Sequence, residues 1–345
     1  MKLSKKTVVG LFDMEPVRIA AVGLGHWSDV HAAALKKNNL LKLVTCYTRT
    51  EAKAKKFAAE NNCSYEKSFE DVLKRNDVEA VLLTTPHTTH ADLAVKTAEA
   101  GKHLLIEKPM ANTVKECKRM IDAFAEAGLV LSVCHDQRWT GVIRKMKDMI
   151  NQGMLGRLVF AEANFFNPSG VGITPDKWRW FRSESPGGPL AYLGVHMIDQ
   201  LRFLVDPNVE EVSAIFDRMI IKAEIDDLAL LNLKFKNGAH GFMASVFTAP
   251  RVVYANIFGT AMNLYSGEKT GLYSQKVGTE VREKVDFEEV DRILKEQVDF
   301  AMSVRENRKP EVDGYEGMQN VAVVEAAVRS ASEGGRTVKL SEVLE

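Results

Sequence analysis

Short apolar runs alternate with amphipathic stretches over the first third of the chain, beginning at Val17. Continuous apolar runs are typical of strands buried on both faces of a parallel sheet, and the stretches between them have helical spacing. The runs predicted to be strands are 17–22, 41–47, 80–84, 103–106 and 129–134. The stretches predicted to be helices are 31–37, 51–60, 69–75, 91–100 and 114–127. The series predicts an α/β domain with a doubly wound parallel sheet and a ligand site at the carboxyl ends of its strands.

The first predicted strand runs into a glycine turn that is followed by His26 and Trp27. Gly23 and Gly25 have the spacing of the dinucleotide fingerprint, in which the first glycine allows a tight turn and the second lets backbone approach a pyrophosphate. Ser28 replaces the third glycine; it is small enough for close packing and is predicted to cap the next helix. The turn predicts a cofactor site, and a plain turn after a hydrophobic strand is the alternative interpretation.

Polar residues also follow the other predicted strands. Thr48 stands where NAD-binding domains carry an acid for the ribose hydroxyls, and Arg49, Thr50 and Lys53 come next. An acid would repel a 2′-phosphate, whereas hydroxyls and a guanidinium would bind it, so the sequence favours NADP over NAD. A solvated Arg49 at a helix start is the alternative. The other strand-end residues predicted to bind cofactor are Thr85, Pro86, His87, His90, Glu107 and Lys108.

Composition and charge narrow the class of partner. The 345 residues suit two domains, and Lys plus Arg equals Asp plus Glu at 46 each, which predicts a small-molecule partner and no nucleic acid or membrane surface. The four cysteines form no CxxC pair, which fits a reducing cytoplasm. Residues 1–16 are predicted to be an N-terminal arm, and no apolar stretch has the length of a membrane span. The histidine spacing predicts no metal site.

In the second half of the chain, apolar and polar positions alternate with the period of antiparallel strands that have one covered face. Asn237-Gly238 is a strong hairpin signal. Strands are predicted over 209–221, 228–235, 239–247 and 252–258, and helices over 190–204, 288–306 and 317–331.

One predicted helix carries candidate catalytic groups. Tyr192, His196 and Asp199 are spaced i, i+4 and i+7, which places a phenol, an imidazole and a carboxylate on one helix face. Hydride transfer to a carbonyl leaves an alkoxide that needs a proton and a nearby positive charge, and imidazole and ammonium groups supply these near neutral pH. A buried histidine bonded to backbone is the alternative for His196 taken alone.

Two further segments are candidates for contact with ligands. The loop 167–189 is rich in proline and glycine, and its Trp178 and Arg179 are predicted to border the nicotinamide. Its aromatic residues are equally consistent with a loop pinned to the core. The residues predicted to line the substrate at the end of the last parallel strand are His135, Asp136, Gln137 and Arg138.

Several motifs in the right order closely resemble the glucose-fructose oxidoreductase and inositol dehydrogenase (Gfo/Idh/MocA) family. They are TTPHTTH at 84–90, AGKHLLIEKPMANTVKEC at 100–117, GMLGRLV at 153–159, DKWRW at 176–180, GGPLAYLGVHMID at 187–199 and the tail from Tyr315. The resemblance implies a Rossmann domain over 17–135 and an α+β domain over 136–313 with a large, open, mostly antiparallel sheet. It also implies that a helix at about 314–333 packs back on the first domain, and an open sheet suggests a homodimer or homotetramer.

The resemblance assigns roles to two residues. The family's EKP lysine corresponds to Lys108, which orients the hydroxyl or carbonyl being transformed, and its histidine corresponds to His196, a proton donor or acceptor. The family typically has aspartate four residues before this histidine, where this chain has Tyr192. A phenol can donate a hydrogen bond or, beside a lysine, a proton, so Tyr192 either takes part in catalysis or lines the pocket.

The sequence therefore predicts an NADP-dependent oxidoreductase acting on a secondary alcohol or ketone of a sugar, polyol or sugar derivative. Lys108, His196 and Tyr192 are its predicted catalytic residues, and Gln137, Arg138 and Asp199 are predicted to contact the substrate as well. An oxidoreductase of a cyclic dihydrodiol or an imine is one alternative. A cofactor-sensing binding protein without catalysis is another.

Overall fold

The computed structural model describes residues 14–267 and 270–345, so residues 1–13 of the predicted N-terminal arm lie outside the described residues. The chain divides into two compact units. The first comprises the described residues up to Met110 together with Lys115–Cys134 and Asp291–Gly317. The second comprises Ala111–Val114, His135–Val290 and Met318–Glu345.

A parallel six-stranded sheet forms the centre of the first unit, which confirms the predicted fold class. Its strands are β1 Val17–Val22, β2 Leu41–Tyr47, β3 Ser64–Tyr65, β4 Ala80–Leu83, β5 His103–Glu107 and β6 Leu131–Cys134. They lie in the order β3-β2-β1-β4-β5-β6, and every neighbouring pair is parallel. The strand order reverses between β1 and β4, and sheets of this kind bind ligands at that point.

The helices of the first unit lie where the sequence predicts them, but the first begins at His26 and not at 31, and the last begins at Arg292 and not at 288. They are His26–Leu35, Glu51–Asn61, Phe69–Lys74, His90–Glu99, Val114–Ala127 and Arg292–Glu306. The Ser68 hydroxyl accepts a hydrogen bond from the Asp71 amide at the start of its helix, and Gly101 and Gly128 adopt positive φ just after two helix ends.

Two helices near the carboxyl end group differently from the expected domain boundaries. Arg292–Glu306 belongs to the first unit, because its Phe300 and Ala301 join the core that surrounds β1 and β4. The helix Gly314–Ser332 groups with the second unit from Met318 onward. Ser330 accepts a hydrogen bond from the Ala214 amide there, and Asn320 binds Arg202.

A nine-stranded sheet dominates the described part of the second unit. Its strands are β7 Leu158–Phe166, β8 Val209–Asp217, β9 Leu228–Phe235, β10 His240–Val246, β11 Val252–Gly259, β12 Met262–Gly267, β13 Gly271–Lys276, β14 Glu283–Val285 and β15 Val338–Lys339. They lie in the order β14-β13-β12-β11-β7-β10-β9-β8-β15. The pair β7 and β10 is parallel and the other pairs are antiparallel, so the prediction of a mostly antiparallel sheet is confirmed.

Strand β8 ends at Asp217, earlier than the predicted 221. The Asp227 carboxylate accepts hydrogen bonds from the amides of Met219, Ile220 and Ile221, and these bonds turn the chain away from the sheet. The predicted hairpin at Asn237-Gly238 joins β9 to β10, as expected.

The predicted helix over 190–204 is not continuous. Leu190–Gly194 forms a π-helical turn, and the α-helix runs from Val195 to Leu204. A side chain at position 194 would place its Cβ 2.6 Å from the Ser245 hydroxyl, so Gly194 lets the helix backbone lie directly against β10. The other helices of this unit are Gly141–Asn151 and Ser341–Leu344.

Candidate active site

The glycine turn after β1 is required by its immediate surroundings. Gly23 has a φ of 89°, and a Cβ there would lie 2.7 Å from the Thr85 methyl group and 2.8 Å from the Thr85 amide nitrogen. The Gly23 amide donates to the Tyr47 carbonyl at 2.9 Å, and the Thr84 hydroxyl donates to the Gly23 carbonyl. The turn therefore joins the ends of β1, β2 and β4.

Gly25 has a different environment. It is exposed, and a Cβ built on it would meet no atom within 4 Å. The helix that begins at His26 has no side-chain cap at its N-terminus, because the Ser28 hydroxyl donates instead to the Gly25 carbonyl at 2.6 Å. The prediction that Ser28 caps the helix was wrong. Open space above Gly25 and uncapped amides fit a pyrophosphate, which binds at such a helix N-terminus.

Exposed cations lie at the end of β2. Arg49 and Lys53 are exposed, and their side chains form no ion pair or hydrogen bond within residues 14–267 and 270–345. The neighbouring acid, Glu51, is bound to Lys55 at 2.9 Å. Thr50 precedes the helix Glu51–Asn61 without capping it through its side chain. The two cations and the free helix N-terminus would attract an anionic group.

The residues after β4 are held by main-chain contacts. His90 is fully buried; its Nε2 lies 2.9 Å from the Thr85 carbonyl oxygen and its Nδ1 lies 3.1 Å from that of Pro109. Burial lowers the pKa of His90, although these carbonyls act to raise it. His90 thus ties the loop after β4 to the loop after β5. His87 is also buried, with its ring 5.7 Å from that of His90.

Lys108 follows β5 directly and is buried. Its amide donates to Glu107 Oε2 at 3.1 Å, and its ammonium lies 5.9 Å from the centre of the Trp27 ring. Glu107 Oε1 lies 3.0 Å from His31 Nε2, and Gln297 Nε2 lies 3.3 Å from His31 Nδ1. Both carboxylate oxygens of Glu107 thus have partners, the Lys108 amide and His31. Glu107 therefore fixes the position of Lys108 and is not directed at a ligand.

A buried polar cluster near the end of β6 was not foreseen. His31, Cys134 and Glu296 approach one another so closely that ligand-type atoms of the three lie within 4.8 Å. These residues are far apart in the sequence, and no local motif links them.

In the second unit, His196 is buried beside an acid. Its Nδ1 lies 3.5 Å from Asp136 Oδ1, and its ring centre lies 6.1 Å from that of Phe165. Asp136 was predicted only to line the substrate. A carboxylate beside Nδ1 can orient the imidazole and stabilise its protonated form. This chain has Tyr192 where the family typically has an aspartate four residues before the histidine, and Asp136 places a carboxylate beside His196 from another segment.

Asp199 and Arg138 bind each other. Arg138 donates to both carboxylate oxygens, at 3.0 and 2.6 Å, and Asn320 donates to Oδ1 at 2.9 Å. Burial acts to raise the pKa of Asp199, but the charges of Arg138 and His135 and the hydrogen bonds overcome it and lower the pKa to about 2. The pair is a fully buried support for the helix that carries His196.

Tyr192 lies in the π-helical turn and His196 in the α-helix that follows it, so the predicted continuous α-helical face is interrupted between them. The Arg179 guanidinium carbon lies 4.4 Å from the Tyr192 ring centre and 4.3 Å from that of Trp178. Phe247 packs on the Tyr192 ring at 5.8 Å. Burial lowers the pKa of Arg179, whose Nε has no hydrogen-bond partner among the described residues.

The loop 167–189 is anchored at Trp180 and at Arg182. The Trp180 carbonyl accepts a hydrogen bond from the Glu224 amide at 3.0 Å, and Arg182 pairs with Asp226 at 3.3 Å. Gln137 is buried in the short turn Asp136–Trp139.

Together, the strand order and the glycine turn at the reversal point define a dinucleotide-binding Rossmann domain. A family model described as "Oxidoreductase family, NAD-binding Rossmann fold" matches residues 17–135, and one described as "GFO/IDH/MocA C-terminal domain" matches residues 143–265. The chain belongs to the Gfo/Idh/MocA family and is an NAD(P)-dependent oxidoreductase.

Several relatives match nearly the whole chain. A solved structure of a putative NADPH-dependent oxidoreductase from Desulfitobacterium hafniense is 34% identical, with a TM-score of 0.92 over 96% of this chain and 100% of that one. D-xylose 1-dehydrogenase [NADP(+)] of Haloarcula marismortui is 26% identical over 94% of this chain and 93% of its own length. Myo-inositol 2-dehydrogenase of Thermotoga maritima is 26% identical over 95% and 100%.

Among the residues that the structure describes, no helix has the length and apolar character needed to cross a membrane.

Proposed function

We propose that the protein is an NADP-dependent oxidoreductase that transfers a hydride between the nicotinamide and a secondary alcohol or ketone of a sugar, polyol or sugar derivative. The observation that carries the cofactor choice is the pair of exposed cations, Arg49 and Lys53, at the end of β2. The substrate class rests on the relatives, which include a xylose and an inositol dehydrogenase.

The cofactor would be held mainly by the first unit. The amides at Gly25, His26 and Trp27 would bind the pyrophosphate, since the helix N-terminus is uncapped there. Thr48 and Arg49 would bind the ribose and its 2′-phosphate. The other residues proposed to contact the cofactor are Gly23, Thr85, Pro86, His87, Lys108, Trp178 and Arg179. His90 and Glu107 are proposed to act indirectly, by fixing the loops that carry these contacts.

The bound nicotinamide supplies the hydride acceptor or donor. Lys108 is proposed to hold the substrate oxygen, because an ammonium group stabilises the negative charge that develops on it. His196 is proposed to take the alcohol proton in oxidation and to return it in reduction, with Asp136 orienting its ring. Glu107 and His31 would keep the end of β5 in place while Lys108 does this.

Tyr192 is proposed to form a wall of the substrate site. Its ring is fixed by Arg179 and Phe247, which suits contact with a substrate ring more than movement of a proton. Gln137 keeps its proposed substrate contact. Arg138 and Asp199 are proposed to position the helix of His196, since they satisfy each other.

The cofactor proposal is tested by titrating the protein with NADPH and NADH, with nicotinamide emission as the signal. We expect tighter binding of NADPH. Arg49→Gln should weaken NADPH binding by about 2 kcal/mol, the scale of one charged hydrogen bond, and should leave NADH binding nearly unchanged. Lys56→Gln is the matched control, because Lys56 is exposed on the helix that follows Arg49 and faces Glu60 at 3.8 Å.

Three results would oppose the proposal. Equal NADPH affinity in wild type and Arg49→Gln would show that Arg49 does not bind the 2′-phosphate, and tighter binding of NADH than of NADPH would make NAD the cofactor. Absence of binding by either dinucleotide would overturn the assignment of the glycine turn.

The stack of Trp178, Arg179 and Tyr192 favours a second candidate substrate class. Flat aromatic and guanidinium surfaces suit a cyclic dihydrodiol or an imine as well as a sugar ring. Parallel assays with keto-sugars, polyols, dihydrodiols and cyclic imines separate the two classes, and turnover of sugars alone would exclude the second.

Location and assembly are further parts of the proposal. Four free thiols fit a reducing compartment, so a cytoplasmic location is proposed. A homodimer or homotetramer is proposed through the open face of the nine-stranded sheet.

A further inference from the structure

Two cysteines meet beside the cations at the end of β2. Cys46 is the next-to-last residue of β2, and Cys63 comes just after the helix Glu51–Asn61. Asn62 adopts a left-handed φ of 51° and turns the chain back, so that Cys63 packs into the same apolar cluster as Cys46 and Phe57. The Cys46 thiol donates a hydrogen bond to the Ala54 carbonyl at 3.6 Å, and the partly buried Cys63 packs against the cluster that contains Cys46.

The two thiols have different environments. Cys46 is fully buried, and the contact with Cys63, burial and the Glu66 carboxylate all raise the pKa of its thiol. Cys63 is only partly buried. The nearby Cys46 thiol and the charge of Arg75 lower the pKa of Cys63, although burial opposes both. A partly exposed thiol whose pKa is lowered, packed in one cluster with a second thiol, is the arrangement of redox-sensitive cysteine pairs.

We propose that Cys46 and Cys63 form a thiol pair that hydroperoxides oxidise to a disulfide, and that the disulfide weakens cofactor binding at the adjacent end of β2. The effect on the cofactor rests on the proposed function; formation of the disulfide does not.

The chemistry balances in two steps. The Cys63 thiolate attacks one peroxide oxygen, the O–O bond breaks, and the departing oxygen leaves as hydroxide or alkoxide and takes a proton. The Cys46 sulfur then attacks the Cys63 sulfenic acid, the S–S bond forms, the S–O bond breaks and water leaves. One peroxide is reduced and two thiols are oxidised. Loss of the Cys63 thiolate in the first step also removes one cause of the raised pKa of Cys46.

The position of the cross-link explains its effect. A bond between Cys46 and Cys63 closes a ring that contains Thr48, Arg49 and Lys53, the groups proposed to bind the 2′-phosphate. Disulfide geometry demands close Cβ atoms and a fixed dihedral angle, so the ends of β2 and of the helix must adjust to one another. The Arg49 side chain leaves its bonding position when its backbone shifts.

The experiment treats the full-length, fully reduced protein with hydrogen peroxide, counts thiols after denaturation and maps the cross-link by mass spectrometry. We expect the four thiols of the sequence to fall by one pair, with Cys46 joined to Cys63. NADPH affinity should fall on the order of tenfold, the loss of about one charged hydrogen bond, and should recover with dithiothreitol. Cys63→Ser and Cys46→Ala should each bind NADPH as the reduced wild type does and resist peroxide. Cys117→Ala, which changes another buried cysteine, should respond as the wild type does.

The outcomes are distinguishable. Absence of the Cys46–Cys63 link, or oxidation of Cys63 only to sulfinic acid, overturns the thiol pair. A mapped link with unchanged NADPH affinity overturns the regulatory effect. Failure of the reduced protein to bind NADPH refutes the proposed cofactor instead, and the mapped link still decides the thiol pair.

Discussion

Lys108 and His196 are each held by a neighbouring acid that takes no direct part in the proposed reaction. The Glu107 carboxylate is hydrogen-bonded to the Lys108 amide and to His31, while Asp136 lies beside His196. Such partners matter because a proton-transfer group must be held within hydrogen-bond reach of the reacting atom. Removing a charged group near Lys108 or near His196 should therefore change the turnover rate or the free energy of unfolding.

Lys108→Ala should reduce turnover on the order of a thousandfold, because the developing charge on the substrate oxygen loses its positive partner. NADPH affinity should change little, since the proposed phosphate contacts lie on other residues. The measurement is steady-state kinetics combined with cofactor titration. Lys115→Ala, at an exposed lysine of the next helix, is the control. Unchanged turnover in Lys108→Ala would contradict the catalytic role, and a wild type without turnover on any substrate class would favour a cofactor sensor.

The lowered pKa of Asp199 predicts how the free energy of unfolding changes at acid pH. A carboxyl whose pKa is about 2 when folded and 3.8 when unfolded stabilises the fold fully above the unfolded pKa. This contribution, on the order of 2 kcal/mol, is lost as pH falls through about 4 to 2.

Asp199→Asn should therefore lower the free energy of unfolding by about 3 to 5 kcal/mol at neutral pH, because Arg138 stays buried without its counter-charge. The difference from wild type should shrink in acid. Denaturant titrations at several pH values measure it, with the exposed Asp122→Asn as control. A difference independent of pH would contradict the assignment.

Among the elements, the turn between β1 and the helix His26–Leu35 contains two glycines, Gly23 and Gly25, with different roles. Gly23 is fixed by its backbone angle and by contact with Thr85, whereas nothing in the described structure surrounds the position of a Cβ on Gly25. One glycine serves the fold, and the other leaves room for a ligand.

Gly23→Ala should lower the free energy of unfolding by about 3 kcal/mol, because it combines a strained φ with a backbone clash. Gly25→Val should change that free energy by less than about 0.5 kcal/mol, yet weaken NADPH binding at least about tenfold by filling the approach to the pyrophosphate. Thermal unfolding and cofactor titration of both variants measure the contrast. Full NADPH affinity in Gly25→Val would show that the cofactor does not pass over this residue.

Local patterns predicted five of the six strands of the parallel sheet, because each of these strands is a run of contiguous apolar residues. The strand β3, Ser64–Tyr65, has only two residues and leaves no such pattern. Contacts between distant residues were not predictable in this way. The early end of β8 depends on Asp227, and the support of Lys108 depends on His31 and Gln297. The π-helical turn Leu190–Gly194 was not predictable from the sequence, because a single apolar turn fits α-helical and π-helical spacing equally well.

At the scale of the whole molecule, the nine-stranded sheet has an outer face that its own unit leaves exposed. Phe160 packs on Phe258, Phe258 on Tyr265, and the Arg282 guanidinium covers the Tyr265 ring at 3.6 Å. Ile215 is exposed on the same sheet. An apolar face of this kind is normally covered by another surface.

We expect light scattering after size exclusion to give a dimer or tetramer. Phe160→Glu should shift the protein towards monomer, since a charge in the middle of an interface must be desolvated. Met154→Glu is the control, because Met154 is exposed but precedes the sheet. A monomeric wild type would contradict the proposed interface.

The π-helical turn before His196 has a consequence for how this enzyme's selectivity could change over generations. Each residue added to or removed from a helix rotates the preceding part of the helix by about 100° relative to the part after it. Deleting a single residue between Leu190 and Gly194 would restore regular α-spacing and rotate Tyr192 to another side of the helix, while His196 stayed beside Asp136 and Phe165. A one-codon deletion would thus exchange the proposed wall of the substrate site and leave the proposed proton-transfer residue in place.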